Sequence, residues 1–190
     1  MARPAPADAR MTAERYFRLV DDGLLAPDDR VELLEGVAVA MPSQGPPHAG
    51  AIRALTDRLV RLFGDCALVQ VQLPLSLSPF SVPEPDIAVV PRRASFYADA
   101  HPTTALLVIE VADRSLPQDR LTKGPIYAAA GIPQYLIVNL RQDCVEVNRL
   151  PHPGERRYRE TRIARRGERI ALEAFPDLSL DVADILPPTP

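Results

Sequence analysis

The sequence has few cysteines and no long apolar run, and both absences narrow the class of protein. Cys66 and Cys144 are the two cysteines among 190 residues, too few for a disulfide framework or a cysteine metal site. We therefore expect two buried thiols in a reducing compartment, the cytoplasm. No apolar run approaches the roughly 18 residues of a membrane span, and the N-terminus has no apolar core of signal-peptide length.

Net positive charge and low-complexity sequence are also lacking. The formal net charge is -3 at pH 7, so a polyanion would have to meet a local patch or a bound cation. The chain has no linker-like stretch and no internal repeat. It does have 46% hydrophobic residues, enough for one core. We predict a disordered leader over residues 1–10 and a single domain over residues 11–187.

Apolar residues at helical spacing predict helices in three places. The first follows Thr12, which can act as its N-cap, and the second begins near His48. The third is expected over residues 122–130, with Thr122 as its N-cap. Pro125 then falls in the first turn, where amide groups have no partner within the helix and a proline costs little.

Short apolar runs predict a larger number of strands. The first two flank Glu35-Gly36 and indicate a tight hairpin. The runs at 105–111 and 135–139 are joined by a helix, so we expect them to pair in parallel. The chain beyond Cys144 is typical of an antiparallel meander. The predicted strands lie at residues 30–34, 37–41, 67–73, 75–78, 85–90, 105–111, 135–139, 144–150, 158–163 and 169–172. This order of elements indicates an α/β or α+β architecture with a mixed central sheet.

Two acidic residues stand out because they belong to apolar strands. Asp86 opens one strand and Glu110 lies near the end of the next. If these strands are antiparallel neighbours, the start of one lies beside the end of the other, and the two acids converge. Converging carboxylates repel unless a cation neutralises them. Oxygen ligands of this kind suit Mg²⁺ or Mn²⁺ rather than zinc.

A lysine and a further acid complete a candidate active site. Lys123 opens the predicted third helix, where its ammonium can hold a phosphate or orient a water, while a metal-bound water acts as the nucleophile. Glu32, on the first hairpin, can add a carboxylate to the metal shell or fix a water. Together with the paired acids, these residues predict a metal-dependent phosphodiesterase.

The residues also resemble a known family. Their order and spacing are similar to those of the Uma-two family of restriction-endonuclease-like proteins, within the PD-(D/E)xK nuclease superfamily, and the resemblance covers nearly everything from Thr12 to Leu186. It is carried by Met11-Thr12-Ala13-Glu14 with Tyr16, Val31-Glu32-Leu33-Leu34-Glu35-Gly36, His48, Glu84-Pro85-Asp86, Glu110-Val111-Ala112-Asp113, Asp119-Arg120 with Lys123 and Tyr127, and Gly131-Ile132-Pro133-Gln134-Tyr135 with Ile137-Val138-Asn139.

The resemblance implies a restriction-endonuclease-like fold and a Mg²⁺- or Mn²⁺-dependent endonuclease acting on DNA. It also implies a role for each candidate. Asp86 and Glu110 would be metal ligands, Lys123 the catalytic lysine and Glu32 an additional active-site acid.

Two positions depart from common patterns. The superfamily's standard lysine lies two residues after the second acid, where this chain has Ala112. In the family that the chain resembles, the lysine lies on the following helix, as Lys123 does. A serine is common three residues after the second acid, and this chain has Asp113. That difference alters the surroundings of the ligands and leaves the ligands themselves unchanged.

Plainer interpretations exist for the main candidates. Asp86 could cap a turn, and Glu110 could form a structural ion pair with Arg120 or Arg92. Lys123 near a helix N-terminus has the unfavourable sign for the helix dipole, which favours a functional role. Asp119 has the favourable sign, and we interpret it as a structural acid at the helix start.

Three further residues are weaker candidates. His48 is either a helix-start or loop residue or a catalytic base. Gln72, on a strand face, can reach the site. Tyr127, one helical turn beyond Lys123, either positions the lysine or is a core tyrosine with a satisfied hydroxyl.

Partners and alternatives follow from the remaining sequence. Residues 141–170 contain nine arginines against five acids, which fits either a phosphate-binding patch or the solvated face of a meander. Cutting both strands of a duplex with one site per chain favours a homodimer. The competing functions are a non-catalytic nucleic-acid-binding or regulatory module on the same fold, and a metal-dependent hydrolase of RNA or small phosphate esters.

Overall fold

A computed structural model describes residues 10–26 and 29–187. The predicted leader falls almost wholly on residues 1–9, outside the described part. The helices are α1 Ala13–Asp21, α2 Pro46–Phe63, α3 Leu116–Gln118, α4 Gly124–Ala129 and α5 Val182–Ile185. The strands are β1 Val31–Leu34, β2 Val37–Ala40, β3 Ala67–Val71, β4 Ile87–Pro91, β5 Leu107–Ala112, β6 Gln134–Asn139, β7 Cys144–His152, β8 Arg157–Arg165, β9 Arg169–Leu172 and β10 Phe175–Asp181.

The central sheet has six strands in the order β3-β4-β5-β6-β7-β8. Strands β5 and β6 pair in parallel and the other neighbours are antiparallel, which confirms the predicted mixed sheet. The predicted antiparallel meander beyond Cys144 is wrong in one respect, since it is not a single separate unit. Strands β7 and β8 continue the central sheet because β7 pairs in register with β6. Strands β9 and β10 form a two-stranded sheet of their own, as do β1 and β2.

Both faces of the central sheet are covered, and the alternation of β5 decides which residues face each layer. Ile109 and Val111 pack with α2 on one face, and Val108 and Ala112 pack beneath Tyr127 on the other. Strands buried on both faces contain almost continuous apolar residues. A charged side chain in such a strand therefore has no solvent to receive it.

The first hairpin is attached to the loop that precedes β4. Glu35 and Gly36 both have positive φ, 53° and 83°, as a two-residue turn between right-twisted strands requires. Leu33 of β1 exchanges two backbone hydrogen bonds with Val82, at 3.2 and 2.7 Å. This contact aims Glu32, the preceding residue, at the start of β4.

The third helix begins earlier than the sequence predicted. It starts at Leu116, and residues 119–123 form a π-helical turn before α4, so Thr122 is not an N-cap. Pro125 explains the wider turn, because a proline ring clashes with the carbonyl four residues before it in a regular helix. The Gly124 N–H bonds instead to the carbonyl of Asp119.

Two smaller expectations are also wrong. Residues 75–78 form no strand; they make one β-bridge, between Ser78 and Ser81, because Pro74 interrupts the chain there. Cys144 is buried as predicted, whereas Cys66 is exposed in the turn after α2, and both are free thiols. Within the described residues, no helix is long and apolar enough to cross a membrane.

The π-helical turn yields a prediction about stability. The hydroxyl of Tyr135 donates to the carbonyl of Asp119 at 3.1 Å, and both groups are buried. We expect Tyr135→Phe to lower the free energy of unfolding by about 1 kcal/mol, because one buried hydrogen bond is lost without a change in packing. Urea denaturation measures the change, and an unchanged midpoint would contradict it.

Candidate active site

Asp86 and Glu110 meet where β4 begins and β5 ends. The two strands are antiparallel, with Ile87 opposite Ile109, so the acids are neighbours as predicted. The Val111 N–H donates to Oδ2 of Asp86 at 2.8 Å, and the Asp86 N–H reaches Oε2 of Glu110 at 3.4 Å. Each carboxylate therefore contacts the backbone of the other strand.

The second oxygen of Asp86 contacts two of the weaker candidates. Nε2 of His48 lies 3.1 Å from Oδ1 of Asp86, and the Gln72 amide donates to the same oxygen at 3.2 Å. His48 comes from the first turn of α2 and Gln72 from the end of β3. Elements on both sides of Asp86 thus fix the orientation of its carboxylate, which a turn cap would not require.

Lys123 bridges Glu110 and Glu32. Its Nζ lies 3.0 Å from Oε1 of Glu110 and 3.1 Å from Oε2 of Glu32. Tyr127 donates its hydroxyl to the same oxygen of Glu110 at 2.7 Å. The structure therefore brings all four main candidates and Tyr127 into one contact network.

The arginines proposed as partners of Glu110 lie elsewhere. Arg120 makes two hydrogen bonds with Glu146, at 2.6 and 2.8 Å, and Arg92 pairs with Asp65. The structural ion pair of Glu110 with an arginine is therefore wrong, and its cationic partner is the lysine.

Glu32 has two further contacts that hold it in the site. The Glu84 N–H donates to its Oε2 at 3.1 Å, and the Gln118 amide donates to its Oε1 at 3.4 Å. Glu84 is itself partly buried, and burial together with the charge of Glu32 raises its pKa. Glu84 belongs to the motif Glu84-Pro85-Asp86, but the sequence alone did not predict its place in the site.

Asp119 belongs to the charged cluster, contrary to its interpretation as a helix-start acid. The helix begins three residues earlier, so Asp119 lies in the π-helical turn that also carries Lys123. It is 2% exposed and accepts a hydrogen bond from the Ser115 hydroxyl at 2.6 Å. Its spacing of four residues before Lys123 was the available signal, since such residues share a helix face.

The electrostatics of the site are dominated by excess buried negative charge. Four carboxylates, those of Asp86, Glu110, Glu32 and Asp119, are each no more than 6% exposed, and Lys123 is the buried ammonium among them. Burial raises the pKa of Glu110 to about 8, against the lowering influence of Lys123. Burial also raises the pKa of Asp119 to about 6.

Asp86 and Lys123 remain charged at neutral pH. Burial acts to raise the pKa of Asp86, but hydrogen bonds from His48, Val111 and Gln72 outweigh it and lower the pKa. Burial acts to lower the pKa of Lys123, but Glu110 and Glu32 outweigh it and raise that pKa. The two environments thus shift the pKa values of the two strand-end carboxyl groups in opposite directions. At neutral pH Asp86 is ionised and Glu110 holds a proton.

The donor set fits a hard divalent cation. Carboxylate oxygens are the ligands that Mg²⁺ and Mn²⁺ prefer, and the surplus of buried carboxylates over ammonium groups is the charge that such a cation would offset. In residues 10–26 and 29–187, no group of three or more His, Cys, Asp or Glu side chains is already arranged to hold a metal. Mg²⁺ commonly binds through one or two carboxylates and keeps several waters.

A cavity lies beside this cluster. It has a volume of about 270 Å³ and lies between the start of α2 and the end of β5, lined by Pro42, Ser43, Gln44, Gly45, His48, Asp113, Arg114 and Ser115. His48 lies in its wall and contacts Asp86. Asp113, the departure from the family pattern, pairs with Arg141 at 3.4 Å, which orients it away from a ligand role.

The arginine-rich segment is largely neutralised by its neighbours. Seven of its nine arginines have a carboxylate partner: Arg141 with Asp113, Arg149 with Glu160 and Glu173, Arg156 with Glu35, Arg157 with Glu155, Arg162 with Glu168, Arg166 with Asp143 and Arg169 with Asp181. These pairs are typical of the solvated face of a meander, and the phosphate-binding patch stays a prediction.

The raised pKa of Glu110 predicts how stability depends on pH in the presence of EDTA. The unfolded chain loses this proton near pH 4.5 and the folded chain near pH 8. Between these values the folded state binds more protons, so the free energy of unfolding falls as pH rises, by up to about 1.4 kcal/mol per pH unit. Urea denaturation at several pH values across this range measures the free energy of unfolding. For Glu110→Gln this free energy should fall less steeply with pH than it does for wild type.

The control for that slope is Glu14→Gln, which changes an acid on the exposed face of α1, where Glu14 pairs with Arg18. It should keep the wild-type slope. Equal slopes for wild type and Glu110→Gln would contradict a protonated Glu110.

Comparison with known proteins agrees with this fold. A family model described as "Uma2: Putative restriction endonuclease" matches residues 13–183. A solved structure described as "a putative nuclease belonging to DUF820 from Anabaena variabilis" has a TM-score of 0.72 and 15% identity, covering 92% of this chain and 97% of that chain; it shows a shared fold. A search of curated proteins found no match. Because the family model spans most of the chain, the protein belongs to the Uma2 family, as the resemblance predicted.

Proposed function

We propose that the protein is a divalent-metal-dependent endonuclease that hydrolyses phosphodiester bonds of DNA. The observation that carries this proposal is the meeting of Asp86 and Glu110 at adjacent strand ends, with Lys123 and Glu32 on the same carboxylate network. Family membership supports nuclease activity. The divalent metal, the DNA substrate and a cytoplasmic location are parts of the proposal that go beyond family membership.

Asp86 and Glu110 would hold the metal. Both lie on buried strand ends, so their positions depend on the central sheet and not on a mobile loop. A bound Mg²⁺ or Mn²⁺ supplies Lewis acidity at the phosphate and a lowered pKa for a water. His48 and Gln72 contribute by fixing the Asp86 carboxylate.

In this mechanism Lys123 is a positively charged hydrogen-bond donor and not a general base. An ammonium has three N–H donors, and the contacts with Glu110 and Glu32 account for two. The third can donate to a phosphate oxygen, where a fixed positive charge stabilises the charge that develops in the transition state. Glu32 holds the ammonium from the opposite side to Glu110, so its role is to position Lys123.

Plasmid cleavage tests this proposal directly. We expect cleavage with Mg²⁺ or Mn²⁺ and none with EDTA. Lys123→Ala should lower the rate by about 100-fold or more, because a preorganised charge is lost, and Asp86→Asn should abolish metal-dependent cleavage. A dimer that cuts both strands together would yield linear product without accumulation of the nicked form.

The matched control is Asp57→Asn, which alters an exposed acid of α2 that pairs with Arg61 and should cleave at the wild-type rate. Cleavage in EDTA, or an undiminished rate with Lys123→Ala, would overturn the mechanism. A substrate panel of duplex DNA, RNA and small phosphate esters separates the proposed activity from the RNA or phosphate-ester hydrolase.

One observation favours a second candidate, a non-catalytic module on the same fold. Lys123 already lies against both Glu110 and Glu32, so these acids have a cationic partner without any metal. In such a module the acids would be structural, and divalent cations would have no high-affinity site.

Metal binding distinguishes the two candidates without reference to turnover. For the nuclease, Mn²⁺ at about ten times its Kd stabilises the folded state by about 1.4 kcal/mol, which raises Tm by about 3 to 6 °C for a chain of this size. Differential scanning fluorimetry should show this rise for wild type and Asp57→Asn. Asp86→Asn should show none, and an unchanged wild-type Tm would favour the module.

A further inference from the structure

A groove on the surface is lined by aromatic and apolar side chains, of which Leu73 and Phe96 are exposed. It has a volume of about 340 Å³ and lies against β3, β4 and the loop after β4. Its principal lining residues are Leu68, Leu73, Val90, Phe96, Tyr97 and His101. Large apolar side chains exposed together in this way mark interaction sites.

Phe96 is the most exposed ring of the groove. Its side chain is 64% exposed, and the guanidinium of Arg92 lies 5.5 Å from the ring centroid. The adjacent Tyr97 has Arg93 over its ring at 5.0 Å. The groove therefore presents aromatic faces and positive charges side by side.

The loop that carries Phe96 is anchored rather than loose. The Tyr97 hydroxyl donates to the carbonyl of Pro91 at 2.8 Å, and the Ser95 hydroxyl donates to Asp99 at 2.9 Å. Phe96 and Tyr97 both have left-handed backbones, with φ of 51° and 60°, which bulky residues rarely adopt. Strain of this kind is kept where the surrounding contacts impose it, often at binding sites.

Two segments of the chain link the groove to the active site. Leu73, 52% exposed in the groove, directly follows Gln72, whose amide donates to Asp86. Strand β4 begins beside Asp86 and ends at Pro91, which accepts the Tyr97 hydroxyl. This strand spans about 17 Å.

We propose that this groove, which we call the stacking groove, binds a single strand of DNA through its unstacked bases and holds that strand next to the cleavage site. The inference rests on the proposed nuclease function and adds a substrate class, DNA with an unpaired strand. Exposed rings stack on the π-faces of bases whatever their sequence, and neighbouring arginines bind the phosphates.

Charge complementarity selects this occupant over an apolar peptide. Arg92 and Arg93 are paired with Asp65 and Asp99, but all four side chains are at least 37% exposed. Exposed pairs of this kind contribute little to stability, so a phosphate can replace the carboxylates. An apolar peptide would bring no group for either arginine.

Fluorescence anisotropy with labelled 12-nucleotide single-stranded DNA, in Ca²⁺, tests the stacking groove. Phe96→Ala should weaken binding by roughly 5-fold to 100-fold, the effect of losing one stacked base. Phe96→Trp should bind at least as tightly as wild type. Phe96→Leu, which keeps an apolar side chain without a π-face, should bind as weakly as Phe96→Ala.

The matched control is Val60→Ala, which truncates an apolar side chain that is 52% exposed on α2, and it should not change binding. Four results would overturn the inference: no binding by wild type, Phe96→Ala within twofold of wild type, Phe96→Leu equal to wild type, or fully duplex DNA bound as tightly as single-stranded DNA. Tighter binding of RNA of the same sequence, with the same dependence on Phe96, would overturn the choice of DNA.

The result is separable from the test of nuclease activity. Metal-dependent cleavage by wild type together with unchanged binding by Phe96→Ala would remove the stacking groove and leave the endonuclease. Binding that depends on Phe96 without cleavage would do the reverse.

Discussion

The contact between Lys123 and two buried carboxylates is the constraint on which the site depends. Glu110 is buried in a strand covered on both faces, where a polar group needs a partner, and the Lys123 ammonium supplies one at 3.0 Å. The same ammonium ties Glu32 to the sheet at 3.1 Å. Removing one member of such a group would leave another charge buried without a partner, so these residues are coupled energetically whatever their chemistry.

The architecture explains how distant parts of the chain supply this group. The central sheet sets Asp86 beside Glu110, the π-helical turn directs Lys123 onto β5, and the bridge between Leu33 and Val82 aims Glu32 at the same point. Each placement depends on backbone hydrogen bonds of these elements. The site is therefore held by regular structure, while the stacking groove is lined by side chains of β3, β4 and an anchored loop.

Some of this was predictable from the residues and some was not. Alternation and strand order predicted that Asp86 and Glu110 would converge, and Glu35-Gly36 predicted the hairpin. The π-helical turn was missed because Pro125 is compatible both with a helix start and with a bulge, and choosing between them requires knowing where the Asp119 carbonyl finds its donors. The contacts of His48 and Gln72 with Asp86 depend on packing between elements, which spacing along a chain does not encode.

The hairpin that carries Glu32 has a consequence for folding. Glu32 and Lys123 lie 91 residues apart in the chain, and their contact can form only when the hairpin, the central sheet and the helix have all docked. Contacts over such sequence separations form late, since chain entropy must be lost before they are gained. The charged cluster therefore forms only when the fold is complete. A partly folded chain would contain every one of its residues and yet have no site.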